Sequence, residues 1–222
     1  MQWIPDENWM LSFVHPGSGE KMAIPARVPG NIAADLHRAG VIPDPYFGSN
    51  AELLREWEFT DFTYSVVFRL PECAPGGRIE LVFEGVDTAA EAFLNGTPLG
   101  GMENMFHEHR FDVTGKLNCD GENELTVVIR SSVNAARKYR RAPGTSAQSY
   151  NFEGLYLRKA GHSFGWDIAP RIVLGGLWRR VGLERIPEHR WSEVLLYSGS
   201  GRGGSGSVFR EQCGAAVGVG VH

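Results

Sequence analysis

The 222-residue chain lacks any apolar run of the roughly 20 residues that a bilayer crossing requires, and its 12 Phe, 6 Trp and 6 Tyr are interleaved with polar residues throughout. A membrane-spanning helix is excluded. Cysteine is scarce: Cys73, Cys119 and Cys213 lie far apart and none belongs to a CxxC pair. That pattern excludes a zinc signature and fits a reducing compartment better than a disulfide framework. A basic excess is missing too, since 22 Lys and Arg stand against 26 Asp and Glu, which argues against a general nucleic-acid binder. Residues 1–8 hold neither a basic n-region nor an apolar h-region, so no secretory signal is expected and the cytoplasm is the default location. Helical periodicity is almost absent. Its one fair instance is residues 31–39, with Asn31 as N-cap and Gly40 just beyond the end. A doubly wound sheet or a (β/α)₈ barrel needs a helix after nearly every strand and is therefore excluded.

What the chain does have is the 42% apolar and 22% charged content of a globular protein with a core, together with 28 Gly and 12 Pro spread widely as turns between short strands require. Residues 62–70 alternate, with every even position from Phe62 to Leu70 apolar or aromatic, and Pro71 with the cluster at 74–77 ends the run. Residues 78–84 alternate again. Residues 92–94 run into Asn95-Gly96, a hairpin signal because both residues tolerate positive φ. Further strands are expected at 110–113, 125–130 and 177–186. Strands joined by turns, with scarcely a helix between them, predict an all-β fold of antiparallel sheets packed as a sandwich.

Two stretches depart from this pattern. Residues 131–149 are polar and basic (Arg137, Lys138, Arg140, Arg141) and then loop-like, which reads as a charged loop facing solvent or another domain. The last 25 residues, 198–222, hold 8 Gly and 4 Ser with no Leu or Ile, the composition of a linker or disordered tail. This change of composition after Tyr197 raises a frameshift or an artificial junction near that point as an expectation.

The order of motifs carries a resemblance. Residues 24–30 (Ile-Pro-Ala-Arg-Val-Pro-Gly), 44–50 (Asp-Pro-Tyr-Phe-Gly-Ser-Asn), Trp57 and residues 62–64 resemble the opening of a glycoside hydrolase family 2 enzyme. Residues 83–88 (Phe-Glu-Gly-Val-Asp-Thr), 93–96 and 111–114 resemble its sheet-and-hairpin signature. Arg158-Lys159, then residues 163–171 (Ser-Phe-Gly-Trp-Asp-Ile-Ala-Pro-Arg) and Gly176-Leu177-Trp178, narrow the likeness to the β-mannosidase branch. There the usual form is Gly-Trp-Asp-Trp-Gly-Pro, and the departure at Ile168-Ala169 bears on loop shape and sugar specificity.

The resemblance implies a galactose-binding-like jelly roll over residues 1–187, residues 188–197 starting a linker toward a further domain, and a disordered tail at 198–222. It also implies an immunoglobulin-like domain and a catalytic barrel as partners in a larger retaining enzyme. The barrel supplies both catalytic glutamates, so this chain is expected to hold no catalytic residue, to need no cofactor or metal, and to be inactive alone. A barrel takes on the order of 200–400 residues, which the chain cannot accommodate beside the sandwich.

Trp166 and Asp167 are the expected substrate-binding pair. An indole face stacks on a pyranose, and an adjacent carboxylate accepts hydrogen bonds from two hydroxyls. Arg158 and Lys159 are expected to support that loop or hold its acidic residue. Asp44, Pro45 and Asn50 read as a structured turn. His107 and His109 straddle Glu108 and share a strand face, but no third metal ligand is signalled. The alternatives to an accessory domain for a β-mannoside pocket are a stand-alone carbohydrate-binding module and a structural fragment without ligand.

Overall fold

The alternation in residues 62–69 becomes a strand with one buried face: Phe62, Tyr64, Val66 and Phe68 of β4 (Phe62–Arg69) point inward, and the residues between them are partly or fully exposed. The computed structural model describes residues 1–70, 77–140, 142–147, 151–187, 189–197 and 206–213, with side chains described up to residue 187. The larger sheet has the order β3 (Lys21–Ala26), β2 (Trp9–Val14), β4, β9 (Glu122–Ile129), β6 (Ala90–Leu94) and β7 (Thr97–Met102). The smaller one runs β1 (Gln2–Trp3), β10 (Val181–Ile186), β5 (Arg78–Phe83) and β8 (His109–Asp112). Every pairing in both is antiparallel. The expected all-β antiparallel sandwich is what forms.

The two sheets share one core. Leu11, Tyr64, Leu94 and Val127 from the larger sheet meet Leu81, Phe83 and Leu183 from the smaller in a single cluster of buried side chains. Each such side chain is worth about 1.5–3 kcal/mol of transfer free energy. The expected hairpin joins β6 to β7 through Asn95 at φ 51° and Gly96 at φ 75°, the two positive dihedrals of a type I′ turn. Helix α1 (Ile32–Arg38) begins where expected, with the Asn31 side chain accepting a hydrogen bond from the Ala34 N–H at 2.9 Å.

Three expectations differ from the structure. Residues 131–149, read as loop, open with helix α2 (Ser132–Arg137), capped by Ser131. It is too short to show a period, and only Ser132, Val133 and Ala136 are buried. Cys119 is disulfide-bonded, although cysteine count and spacing argued against bridges; spacing along the chain does not report proximity in space. The stretch read as linker and tail contains an antiparallel pair, β11 (His189–Tyr197) with β12 (Gly206–Cys213), separate from the two main sheets. The expected turn at 71–76 and the rest of the tail lie outside the described residues. Among the described residues no helix is long and apolar enough to cross a membrane.

Candidate functional site

Register fixes which loops meet. Phe62 lies opposite Ile129, Ala90 opposite both Ile129 and Met102, and Phe83 opposite Val181 and His109. The loops around 84–89, 103–108 and 130–180 therefore emerge at one end of the sandwich, opposite the Asn95-Gly96 hairpin. Residues 158–171, which hold all four expected site residues, belong to that end.

Trp166 and Ala169 exchange backbone hydrogen bonds at 3.0 and 3.1 Å, so Asp167 and Ile168 are the two central residues of a tight turn. The turn projects its side chains outward: Trp166 is 58% exposed, Ile168 94%, and Asp167 is exposed as well. An exposed indole beside an exposed carboxylate can stack on one face of a sugar and accept hydrogen bonds from its rim. Below the tip, Ile172 N–H donates to the Ser163 carbonyl at 3.1 Å, and Phe164 is fully buried against Val133 and Val173. The Arg171 guanidinium lies 5.4 Å from the Phe164 ring centre and donates to both carboxylate oxygens of Glu58, at 2.8 and 2.7 Å.

Lys159 is close in sequence to the turn, but its buried ammonium does not hold Asp167. It donates to both oxygens of Asp87 at 2.6 Å, which corrects the expectation that it grips the loop's own acidic residue. Burial pushes the Lys159 ammonium below its ordinary range, and Asp87 opposes that push. Asp87 also accepts from Thr88 Oγ1 and exchanges backbone hydrogen bonds with Gly176 at 2.9 and 3.0 Å. This approach is so close that a Cβ on Gly175 would sit 1.7 Å from the Asp87 carbonyl oxygen. Part of the family-like motif at 83–88 and 176–178 thus builds the floor beneath residue 159.

Arg158 is exposed and does not touch the turn through any described hydrogen bond. Its carbonyl accepts from Met105 N–H at 3.0 Å, and its side chain lines a cavity of about 420 Å³ with Tyr139, Tyr156, His107 and Lys138. His107 and His109 do share a face, ring centres 4.5 Å apart, with His109 Nε2 2.9 Å from the Asn104 carbonyl. Burial lowers the His109 pKa below its ordinary value. Among the described residues no three His, Cys, Asp or Glu side chains gather as a metal site. The 44–50 segment is a turn, with Asp44 Oδ1 accepting from Tyr46 N–H and Asn50 Nδ2 donating to the Asp44 carbonyl. In the basic run, Arg137 pairs with Glu153 at 3.2 Å and Tyr139 stacks on Tyr156 at 5.6 Å; Arg141 lies outside the described residues.

Sequence reasoning missed Glu58 and Glu153, and read Asp87 only as part of the 83–88 motif. The first two flank Arg171 and could be mistaken for a catalytic carboxylate pair, but both are buried and the guanidinium lies between them. Their roles are not legible locally, because the hydrogen-bond partners that fix them lie 113, 16 and 72 positions away along the chain.

A family profile described as "Glycosyl hydrolase 2 galactose-binding domain-like" matches residues 2–179. Beta-mannosidase B of Thermothelomyces thermophilus is 36% identical over 193 residues, 85% of this chain and 22% of that protein. The beta-mannosidase of Mus musculus is 33% identical over 187 residues, 80% of this chain and 21% of its own length. Among solved structures, the beta-D-mannosidase of Dictyoglomus thermophilum superposes with a TM-score of 0.81 at 29% identity, covering 96% of this chain and 26% of that one. The chain thus spans about a fifth of the length of the curated relatives it matches. With the profile running through the larger sheet, β1, β5 and β8 of the smaller one and the end that carries Trp166, the chain belongs to glycoside hydrolase family 2, as a galactose-binding-like domain whose relatives are β-mannosidases.

Proposed function

We propose that this chain is the accessory domain of a β-mannosidase-like enzyme, contributing Trp166 and Asp167 to the pocket that receives the terminal sugar and docking on a catalytic barrel supplied elsewhere. The observation that carries this reading is the Trp166–Ala169 turn: an indole, a carboxylate and Ile168 are held out to solvent on a buried base. Large apolar side chains on neighbouring loops of that end, Phe106, Tyr139 and Leu155, are exposed too, as a face that another domain covers would be. In the parent reaction, retaining hydrolysis of terminal β-mannosides, two carboxylates about 5–5.5 Å apart do the chemistry. Glu58 is held by Arg171, Glu153 by Arg137, and Asp61 and Glu91 by Arg130, so this reading assigns both catalytic groups to the barrel. This domain's part is to stack the sugar ring with Trp166 and orient its hydroxyls with Asp167.

Two experiments test the reading. The purified chain is expected to show no turnover of an aryl β-mannoside above a heat-killed control, and turnover that survives further purification would overturn the claim that the catalytic groups lie elsewhere. In a chimera carrying residues 1–187 in place of the matching sandwich of the Dictyoglomus enzyme, Asp167→Asn and Trp166→Ala are expected to lower kcat/KM about 10–100-fold, the worth of one or two charge-assisted hydrogen bonds or a stacking face. Unchanged kcat/KM in an active chimera would remove both residues from the pocket. If methyl β-mannoside instead saturates the isolated chain well below 1 mM, the chain is a stand-alone binding module, because a partial pocket cannot supply the roughly 4 kcal/mol that this affinity represents.

A further inference from the structure

Among the described residues, the tip of the Trp166 turn makes two hydrogen bonds, both its own backbone pair, and the side chains at its apex face solvent. Its orientation must therefore come from its base. Among the described residues, Phe164 anchors that base in a small buried cluster with Val133 and Val173, flanked by Leu157 and apart from the main core. The strong tie is ionic. Arg171 and Glu58 are 10% and 5% exposed and meet in a two-pronged pair, whose planar geometry fixes direction as well as distance. Glu58 sits on the 3-10 helix Asn50–Phe59, whose Leu54 and Trp57 are fully buried in the main core. Glu153 Oε2 stands 3.9 Å from Arg171 on the other side and is itself held by Arg137. Ahead of the turn, Lys159–Asp87 provides a second buried tie.

We infer that Glu58 and Arg171 are positioning residues, welding the Trp166–Asp167 turn to the main core so that the indole and carboxylate keep one orientation before any sugar arrives. The use of that orientation rests on the function proposed above; the orientation itself does not. A buried ion pair replaced as a whole by apolar residues often leaves stability unchanged, whereas losing one member strands a charge. The double variant Glu58→Leu/Arg171→Met therefore separates orientation from stability.

The test is the order parameter of the Trp166 indole N–H, measured by nitrogen relaxation in the full 222-residue chain. The Trp9 indole, which is buried and donates to the Pro5 carbonyl at 2.9 Å, is the internal control. In the unchanged chain Trp166 is expected near the rigid value of about 0.85, and in the double variant below about 0.6, with Trp9 unmoved. Arg171→Lys, which keeps the charge and loses the fork, is expected to loosen Trp166 in the same direction, and it decides the matter if the double variant does not fold. The inference is overturned if Trp166 is already mobile in the unchanged chain, if it stays rigid in the folded variants, or if Trp9 loosens equally. A rigid Trp166 that loosens as expected, while Trp166→Ala leaves the chimera's kcat/KM intact, keeps the positioning role and discards the glycone reading.

Discussion

Asp35 shows how a single buried residue carries a pH dependence. It is fully buried on α1, where it accepts from Arg38 Nη1 at 2.6 Å, Arg27 N–H at 3.2 Å and Tyr64 Oη at 3.2 Å. Burial raises its pKa above the ordinary 3.8, and those three donors pull the other way without overcoming it. A carboxyl with a raised pKa favours its protonated form in the fold. Its contribution to stability is full below 3.8 and is lost as pH rises through the raised value. Urea midpoints measured from below pH 3.8 up to neutrality are therefore expected to show the wild type losing ground against Asp35→Asn as pH climbs. A constant difference would mean that Asp35 ionises in the fold as easily as in the unfolded chain. Nothing in residues 31–39 announces this, because the residue that buries and bonds Asp35 across the sandwich, Tyr64, is 29 positions away.

At the scale of elements, legibility follows the range of the forces involved. Alternating β4 and β5, the Asn95-Gly96 hairpin and the Asn31 cap were readable because side chains a few positions apart determine them. The hairpin nevertheless owes part of its strength to something local reading cannot see. Asn95 donates to the Lys116 carbonyl and to Asn123 Oδ1, both at 3.0 Å, and accepts from Glu124 N–H at 2.9 Å, tying the turn to the chain entering β9. Gly96→Ala is expected to cost about 1 kcal/mol, the usual penalty for a side chain at positive φ. Asn95→Ala is expected to cost more, about 2–3 kcal/mol, because it also removes the three hydrogen bonds that tie the turn to Lys116, Asn123 and Glu124. Equal shifts in urea midpoint would reduce Asn95 to a turn-former. Helix α2 and the base of the Trp166 turn were illegible for the complementary reason: α2 has its Ser131 cap but is too short to show a period, and both are held by ion pairs between distant segments. The pair Trp166 and Asp167 could be named from a motif, and Lys159 as support; the carboxylates Glu58 and Glu153 around Arg171 could not.

For the whole molecule, the antiparallel class was readable from turn density and alternation, whereas the partition into a six-stranded and a four-stranded sheet was not, since it depends on which distant strands pair. The smaller sheet shows this most sharply. β1 bonds only to β10, with Gln2 opposite Leu183, and β5 lies between β10 and β8. A chain ending at Arg180 would leave β1 without a partner and β5 with an open edge, so it is expected to be unfolded by circular dichroism and rapidly proteolysed. A chain ending at Pro187 keeps every main-sheet pairing and is expected to melt cooperatively; comparable behaviour of the two would show that the smaller sheet is dispensable. This closure also sets a clock for synthesis. At 5–20 residues per second, β1 waits on the order of ten seconds or more after its own synthesis for the strand that completes its sheet. During that interval β5 lacks the neighbour that β10 provides and part of the core stays open, so a nascent chain of this domain needs shielding until residues 181–186 emerge, and slow codons before residue 181 would lengthen the exposure.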